Sequence, residues 1–269
     1  MPGRGGGRGG RSSGPLPRPV QVSKKISWLL RHGAEKEGLT LGPGGYIPVS
    51  EVLSNRNLKS LKVTFDELRQ IVEENDKQRF SMVPASAQEG KGGEEGQTDL
   101  TSSDPKDWLI RANQGHSLKV EDDGLLKPIT KENLPETAVH GTTHSAWPLI
   151  VASGGLKPMG RNHVHFASGL PAGFTSLVNT DQEVAAPVIS GMRKSSTVLI
   201  FLDLAKATEA GLKFWVSENG VILSEGNEEG VVPLEFFQRV EDRTGEGVLV
   251  EEGKVVKEAP EKWKGKGKT

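Results

Sequence analysis

Cysteine is absent from all 269 residues. That excludes disulfides, a thiol nucleophile and any zinc site built on thiolates. Aromatic residues are scarce at 5%, with a single tyrosine. No apolar run approaches the ~18 residues that a membrane-crossing helix needs, and no leader-like pattern opens the chain. These absences predict an intracellular protein, cytoplasmic or nuclear, with no membrane partner. Net charge is also nearly absent, at −1. That balance hides an asymmetry. Residues 1–19 hold four arginines and no acid, residues 254–269 hold six lysines and two glutamates, and the stretch between carries −9. An acidic body with basic ends is not a surface that is basic throughout. It would meet nucleic acid through a local patch or through its ends. Two phosphate-binding signatures are missing as well: the chain has neither a GxGxxG followed by an acidic residue nor a GxxxxGK[ST].

What is present is enough for a packed core. Hydrophobic residues make up 34%, beside 34 glycines. Residues 1–19 read as a disordered Arg-Gly-Gly tail, and residues 248–269 as a basic disordered tail. Residues 20–120 form a first ordered region, broken by a polar loop at 84–106. Val22, Ile26, Leu29 and Leu30 recur at helical spacing, with Ser23 as the expected cap and Gly38 as the stop. GYIPVSEVL predicts a short strand and then a helix capped by Ser50. Thr64 and Glu67 read as a capping box for the helix that begins at Phe65. RFSMV and WLIRA are strands on either side of the loop. Helices followed by a two-stranded hairpin suggest a winged-helix-like lobe. Residues 121–247 are richer in strands, with TAVHG, HVHFA, TVLIFLDL and a hairpin turning at Asn219-Gly220. The fold class expected is α+β.

Four of the six histidines, His140, His144, His163 and His165, lie close in sequence. No HExxH and no acidic residue accompany them, so spacing alone does not specify a metal, and none is expected. His140-Gly141-Thr142 falls where a strand gives way to a helix. Free N–H groups there favour an anionic ligand, although an ordinary strand–helix turn has the same appearance. At 100° per residue from Ile26, Arg31 falls about 140° and His32 about 240° round the first helix, both off the buried face. Arg79 and Arg161 each border a strand. Singly, each of these residues reads as a solvated surface group. Together, three arginines and a histidine could enclose a phosphate dianion, because the planar guanidinium fork binds phosphate oxygens in pairs and keeps its charge.

The blocks SWLLRHGAEKEGL, GGYIPVSEVL, NDKQRF, IRANQGHS, HGTTHSAWPLI and GLKPMGRNHVHFA, in this order over residues 20–240, resemble the tRNA 2'-phosphotransferase family. The resemblance implies a winged-helix-like RNA lobe joined to a mixed α/β lobe of the ADP-ribosyltransferase type. The protein would be a monomer acting on tRNA, or on other RNA with an internal 2'-phosphate, and using NAD as co-substrate. It implies that Arg31, His32, Arg79 and Arg161 are the catalytic set. It further implies that His140, Gly141, Thr142, His165 and Ser117 hold NAD, with His116 bordering the cleft. In the chemistry implied, the RNA 2'-phosphate attacks the nicotinamide ribose and nicotinamide leaves. The neighbouring ribose hydroxyl then attacks phosphorus, giving 2'-hydroxyl RNA and a cyclic phosphate of ADP-ribose. Where many of the wider group carry a glutamate, GVVPLEFF offers Val231 or Val232. That departure suits a phosphate nucleophile, which needs no carboxylate base. The alternative is a mono-ADP-ribosyltransferase acting on nucleic-acid or protein acceptors, which would stop after the first step.

Overall fold

The computed structural model describes residues 15–89, 101–120, 124–177, 188 and 190–264. The Arg-Gly-Gly repeats, the middle of the polar loop and the last five residues lie outside the described residues.

Helix α1 runs from Arg18 to Trp28. It begins five residues before the expected Ser23 cap. Pro17 occupies the cap position and a second proline lies in the first turn, where a fixed φ and a missing N–H cost nothing. A π-helical turn, Leu29–Gly33, continues α1. Val22, Ile26, Leu29 and Leu30 are fully buried, as their spacing predicts. A 3-10 turn then ends at Gly38, whose φ of 74° is left-handed. Strand β1 (Ile47–Pro48) leads into helix α2 (Val49–Ser54). Pro48 holds the cap position of α2, which places Ser50 inside the helix. Asn55 caps α3 (Arg56–Lys59) by accepting from the Asn57 amide at 3.0 Å. Thr64 caps α4 (Phe65–Glu73) by accepting from the Glu67 amide at 3.2 Å. The other half of the expected capping box is replaced, because Arg18 pairs with the Glu67 carboxylate at 2.6 Å. Strand β2 (Phe80–Pro84), helix α5 (Ser86–Glu89) and strand β3 (Trp108–Ala112) complete the first lobe. Its three strands pair in the order β1-β3-β2, antiparallel, with Phe80 opposite Ala112 and Met82 opposite Ile110.

The second lobe contributes β4 (Leu126–Pro128), β5 (Val139–Thr142), α6 (Trp147–Ala152), β6 (Gly155–Leu156) and β7 (Val164–Ala167). After these come β8 (Val198–Leu202), α7 (Leu204–Glu209), β9 (Trp215–Ser217) and β10 (Val221–Ser224). The chain closes with β11 (Val232–Pro233), β12 (Phe237–Asp242), β13 (Gly247–Glu251) and β14 (Lys254–Val255). Nine strands form one sheet in the order β14-β13-β12-β8-β5-β7-β10-β9-β4, and its neighbours pair antiparallel. A sheet antiparallel throughout, with short helices set against it, is an α+β arrangement. Strand β5 lies at its centre, and β8, buried along its whole length, lies beside it. Ile200, Phe166, Phe237 and Trp147 pack in the larger core, while Val139, Leu199 and Phe201 join Met192 in a second cluster.

Residues 248–264 correct the expectation of a disordered tail. Strands β13 and β14 extend the main sheet, and Trp263 is buried with its ring stacked on His144 at 4.1 Å. Amid the lysines, the adjacent Leu249 and Val250 both enter the core, where the pairing with β12 shifts register. The lobes meet at the β9–β10 turn. Glu218 accepts from Arg111 at 2.9 Å and from Ser81 at 2.8 Å, while Asn219 donates to the Lys77 carbonyl at 3.0 Å.

Candidate active site

Arg31 and His32 lie in the π turn that follows α1. A helical wheel places both in solvent, and for Arg31 the structure corrects this. Its Nε and Nη2 are enclosed with no hydrogen-bond partner. The widened turn shifts the helical phase. On the opposite wall, Gly115 presents only its backbone. A Cβ there would lie 3.6 Å from the Arg31 Nε, and the Gly115 φ of 88° itself favours glycine. Burial, together with repulsion from Arg161 and Arg79, pulls the Arg31 guanidinium down to about 10. His32 is lowered by burial and by Arg31 and Arg161. Its Nδ1 meets the Ser117 hydroxyl at 2.9 Å.

Arg79 comes from the segment entering β2. Its Nη1 donates to the Asn75 side-chain oxygen at 3.1 Å, and the same oxygen accepts from the Arg79 amide at 3.2 Å. Arg161 comes from the other lobe, in the turn before β7. Asn162 beside it ties that turn to the first lobe: its amide donates to the His116 carbonyl at 3.0 Å and its side chain to the Leu118 carbonyl at 2.9 Å. Burial lowers both Arg79 and Arg161; Asp76 opposes the first shift, and Arg193 adds to the second. Among the described residues, no carboxylate lies within salt-bridge distance of Arg31, Arg79 or Arg161. The structure therefore brings the sequence-predicted cations and the imidazole to one place, with Asp76 offsetting only part of the Arg79 charge. Arg31 and Arg79 are half-buried and Arg161 is exposed, and converging cations without a paired carboxylate favour an anion; a phosphate dianion suits a set of forked donors.

The histidines of the second lobe line up behind this cluster. His140 on β5 and His165 on β7 lie on adjacent strands, and the His140 Nδ1 is 2.8 Å from the His165 carbonyl. The His165 Nδ1 is 2.8 Å from the His163 carbonyl, and its Nε2 is buried without a partner. Burial and repulsion from Arg161 hold His165 down at about 3, so its ring is neutral. His116 is likewise held at about 4 by burial and the Arg31 charge. Thr142 is buried on β5. Gly141 allows a close approach, but this chain uses it: a Cβ there would lie 2.5 Å from both Met192 Cγ and Ser196 Oγ. Val232 is packed in the larger core, where β11 pairs with β6. Ser117 stands against His32.

Sequence reasoning missed three groups. Arg111 is buried in β3, its guanidinium 4.7 Å from the Tyr46 ring centre, and it anchors Glu218 of the second lobe. A charge inside the apolar run WLIRA was the available signal. Arg193, whose charge bears on Arg161 and His140, follows the segment that lies outside the described residues. No pattern distinguished it. Gln114 is buried with its Oε1 unpaired, next to Gly115.

A family model described as RNA 2'-phosphotransferase, Tpt1 / KptA family, matches residues 17–226. The tRNA 2'-phosphotransferase 1 of Danio rerio is 37% identical over 243 residues, covering 88% of this chain and 92% of the relative. The tRNA 2'-phosphotransferase of Saccharomyces cerevisiae is 39% identical over 227 residues, covering 83% and 84%. A probable RNA 2'-phosphotransferase of Nostoc punctiforme is 31% identical over 223 residues, covering 83% and 98%.

Proposed function

Because this chain belongs to the RNA 2'-phosphotransferase family and removes the 2'-phosphate from ligated tRNA, we propose that Arg31, Arg79 and Arg161, with His32, form the clamp that holds that phosphate. The observation that carries this reading is the convergence of three guanidinium groups from two lobes with no carboxylate among the described residues within salt-bridge distance of them. Their charge is unfavourable in the free protein and becomes favourable when a dianion arrives. Each arginine can then stabilise equatorial oxygens as the phosphoryl group is transferred. Ser117 orients His32 through Nδ1, which directs Nε2 towards the phosphate. A bound dianion works against the lowering of His32 by burial, Arg31 and Arg161, and so favours the protonated ring.

The phosphate acceptor in this reading is NAD, which supplies an electrophilic ribose carbon and the hydroxyl beside it. The residues present fit such a group. The His165 Nε2 is a buried polar atom awaiting a partner, on the strand beside His140. His140 and Thr142 on β5 border the same space, with Arg193 supplying positive charge near it. Met192 and Ser196 cover the Gly141 face, which supports reading NAD's approach from the His140 and Thr142 face of β5. We read the first lobe as a winged-helix-like RNA platform. Its helices and three-stranded sheet support that reading. We read the second as an ADP-ribosyltransferase-type lobe, on the support of a histidine on its central strand and a second one next to it. Val231 and Val232 provide no base there, which suits a nucleophile already ionised as phosphate.

The test is to incubate 2'-phosphorylated RNA with NAD and follow nicotinamide, 2'-phosphate and cyclic phosphate together. The expected result is equal release of nicotinamide and loss of 2'-phosphate. Loss of the 2'-phosphate with no nicotinamide would refute NAD as the acceptor, and nicotinamide release with the phosphate retained would favour a mono-ADP-ribosyltransferase.

A further inference from the structure

A cavity of about 730 Å³ runs from Arg31, His32 and Arg79 along the outer face of α1. It reaches Lys24, Ser27 and Trp28 and ends where Arg18 pairs with Glu67. Trp28 has an exposure of 38%, large for an aromatic side chain beside half-buried cations. Its position is defined by Gly33. A Cβ on that glycine would lie 2.5 Å from the indole Cη2 and Cζ3, so the six-membered ring lies against bare backbone. Glycine at 33 brings the ring down beside the π turn that carries Arg31 and His32. The remainder of the indole lines the cavity.

Resting on the phosphate clamp just proposed, we propose that Trp28 is a stacking platform for a base of the RNA next to the 2'-phosphate. Three features identify the occupant. The cavity is continuous with Arg31, His32 and Arg79 of the clamp, so a strand that leaves them along this groove passes Trp28. Five cations line the cavity against three carboxylates, Glu67, Glu74 and Asp76, and Lys24, Arg31 and Arg79 form no ion pair among the described residues, a balance that suits a phosphodiester backbone. A rigid aromatic wall next to a cationic groove is the combination that holds single-stranded nucleic acid with little sequence preference, because every base offers a π face. Trp28 is thus a specificity residue for RNA over a free phosphate monoester. It positions the strand and leaves the chemistry to the clamp.

The experiment measures binding of short labelled RNAs with an internal 2'-phosphate to the full chain, by anisotropy and without NAD. One RNA carries all its bases; two others are abasic, one at the phosphorylated nucleotide and one at its 3' neighbour. Trp28→Ala is expected to weaken binding of the complete RNA about tenfold, and Trp28→Phe by much less. With one of the two abasic RNAs, wild type and Trp28→Ala are expected to bind alike. Gly33→Ala, which displaces the ring without removing it, should behave like Trp28→Ala. Equal losses on all three RNAs, or no loss on any, would overturn the proposal. A wild-type protein that binds 2'-phosphorylated and 2'-hydroxyl RNA equally would instead remove the clamp on which it rests.

Discussion

Two charged regions of the second lobe follow opposite rules. Around His144 every charge is answered. The His144 Nε2 is 2.7 Å from the Asp242 carboxylate, which also accepts from the Thr244 hydroxyl at 2.8 Å and from the Glu246 amide at 2.9 Å, and Trp263 covers the ring. Burial would raise Asp242, but these donors outweigh it and hold the carboxyl below its usual range. Around Arg161 the charges oppose one another, and polar atoms of Arg31, His116 and His165 are buried without partners. The first region has the form of a structural clasp that binds the chain terminus. The second holds cations that repel one another with no paired carboxylate among the described residues, which costs stability in the free protein. Unsatisfied buried polar groups persist where a ligand completes them.

Substitution should separate the two regions. The largest effect is expected for Arg31→Met. If Arg31 belongs to the proposed phosphate clamp, its loss should lower the rate of 2'-phosphate removal by about 10³-fold or more. The same change removes an unpaired buried cation, so thermal melting should rise, by about 2–4 °C for each kcal/mol recovered in a chain of this size. Lower activity with lower stability would mean that Arg31 is structural. In the clasp the signs reverse. Trp263→Ala should destabilise by about 3 kcal/mol in denaturant titration, with activity retained below the melting transition.

The two regions should also differ with pH. Asp242 is depressed in the folded state, so its contribution is complete above the ordinary carboxylate range and is lost as pH falls through the folded value. Asp242→Asn should flatten the acid limb of the stability curve. Arg31 lies at about 10 in the free protein and higher once an anion is bound. Affinity for 2'-phosphorylated RNA should therefore decline as pH rises through about 10, a loss absent from Arg31→Met. The smallest effect concerns the sequence ends. Deleting residues 1–14, with three arginines, should weaken RNA binding severalfold at low salt and have little effect at high salt.

The sequence revealed local features well and long-range ones poorly. The helix through Val22 and Ile26, the strand TVLIFLDL and the 217–221 hairpin follow from periodicity and a glycine turn, because local spacing determines them. Arg31 and His32 were identified as a pair, but their environment was not. A π turn and an opposing glycine 84 residues away put the guanidinium inside. The clasp was invisible for the same reason: His144 and Asp242 are 98 residues apart. Strands β13 and β14 are obscured by the lysines around them, and the two adjacent buried residues Leu249 and Val250 give no period-2 signal, because the register shift lets both enter the core. Sequence composition registers solvent-facing residues and core residues equally, and only the fold separates them.

The most direct measurement is a calorimetric titration with paired oligonucleotides that differ only in a 2'-phosphate or 2'-hydroxyl at one internal position. Wild-type protein should bind the phosphorylated member far more tightly, and Arg79→Ala and Arg161→Ala should each erase most of that preference. Full discrimination surviving in both variants would contradict the convergence of the two lobes on one phosphate.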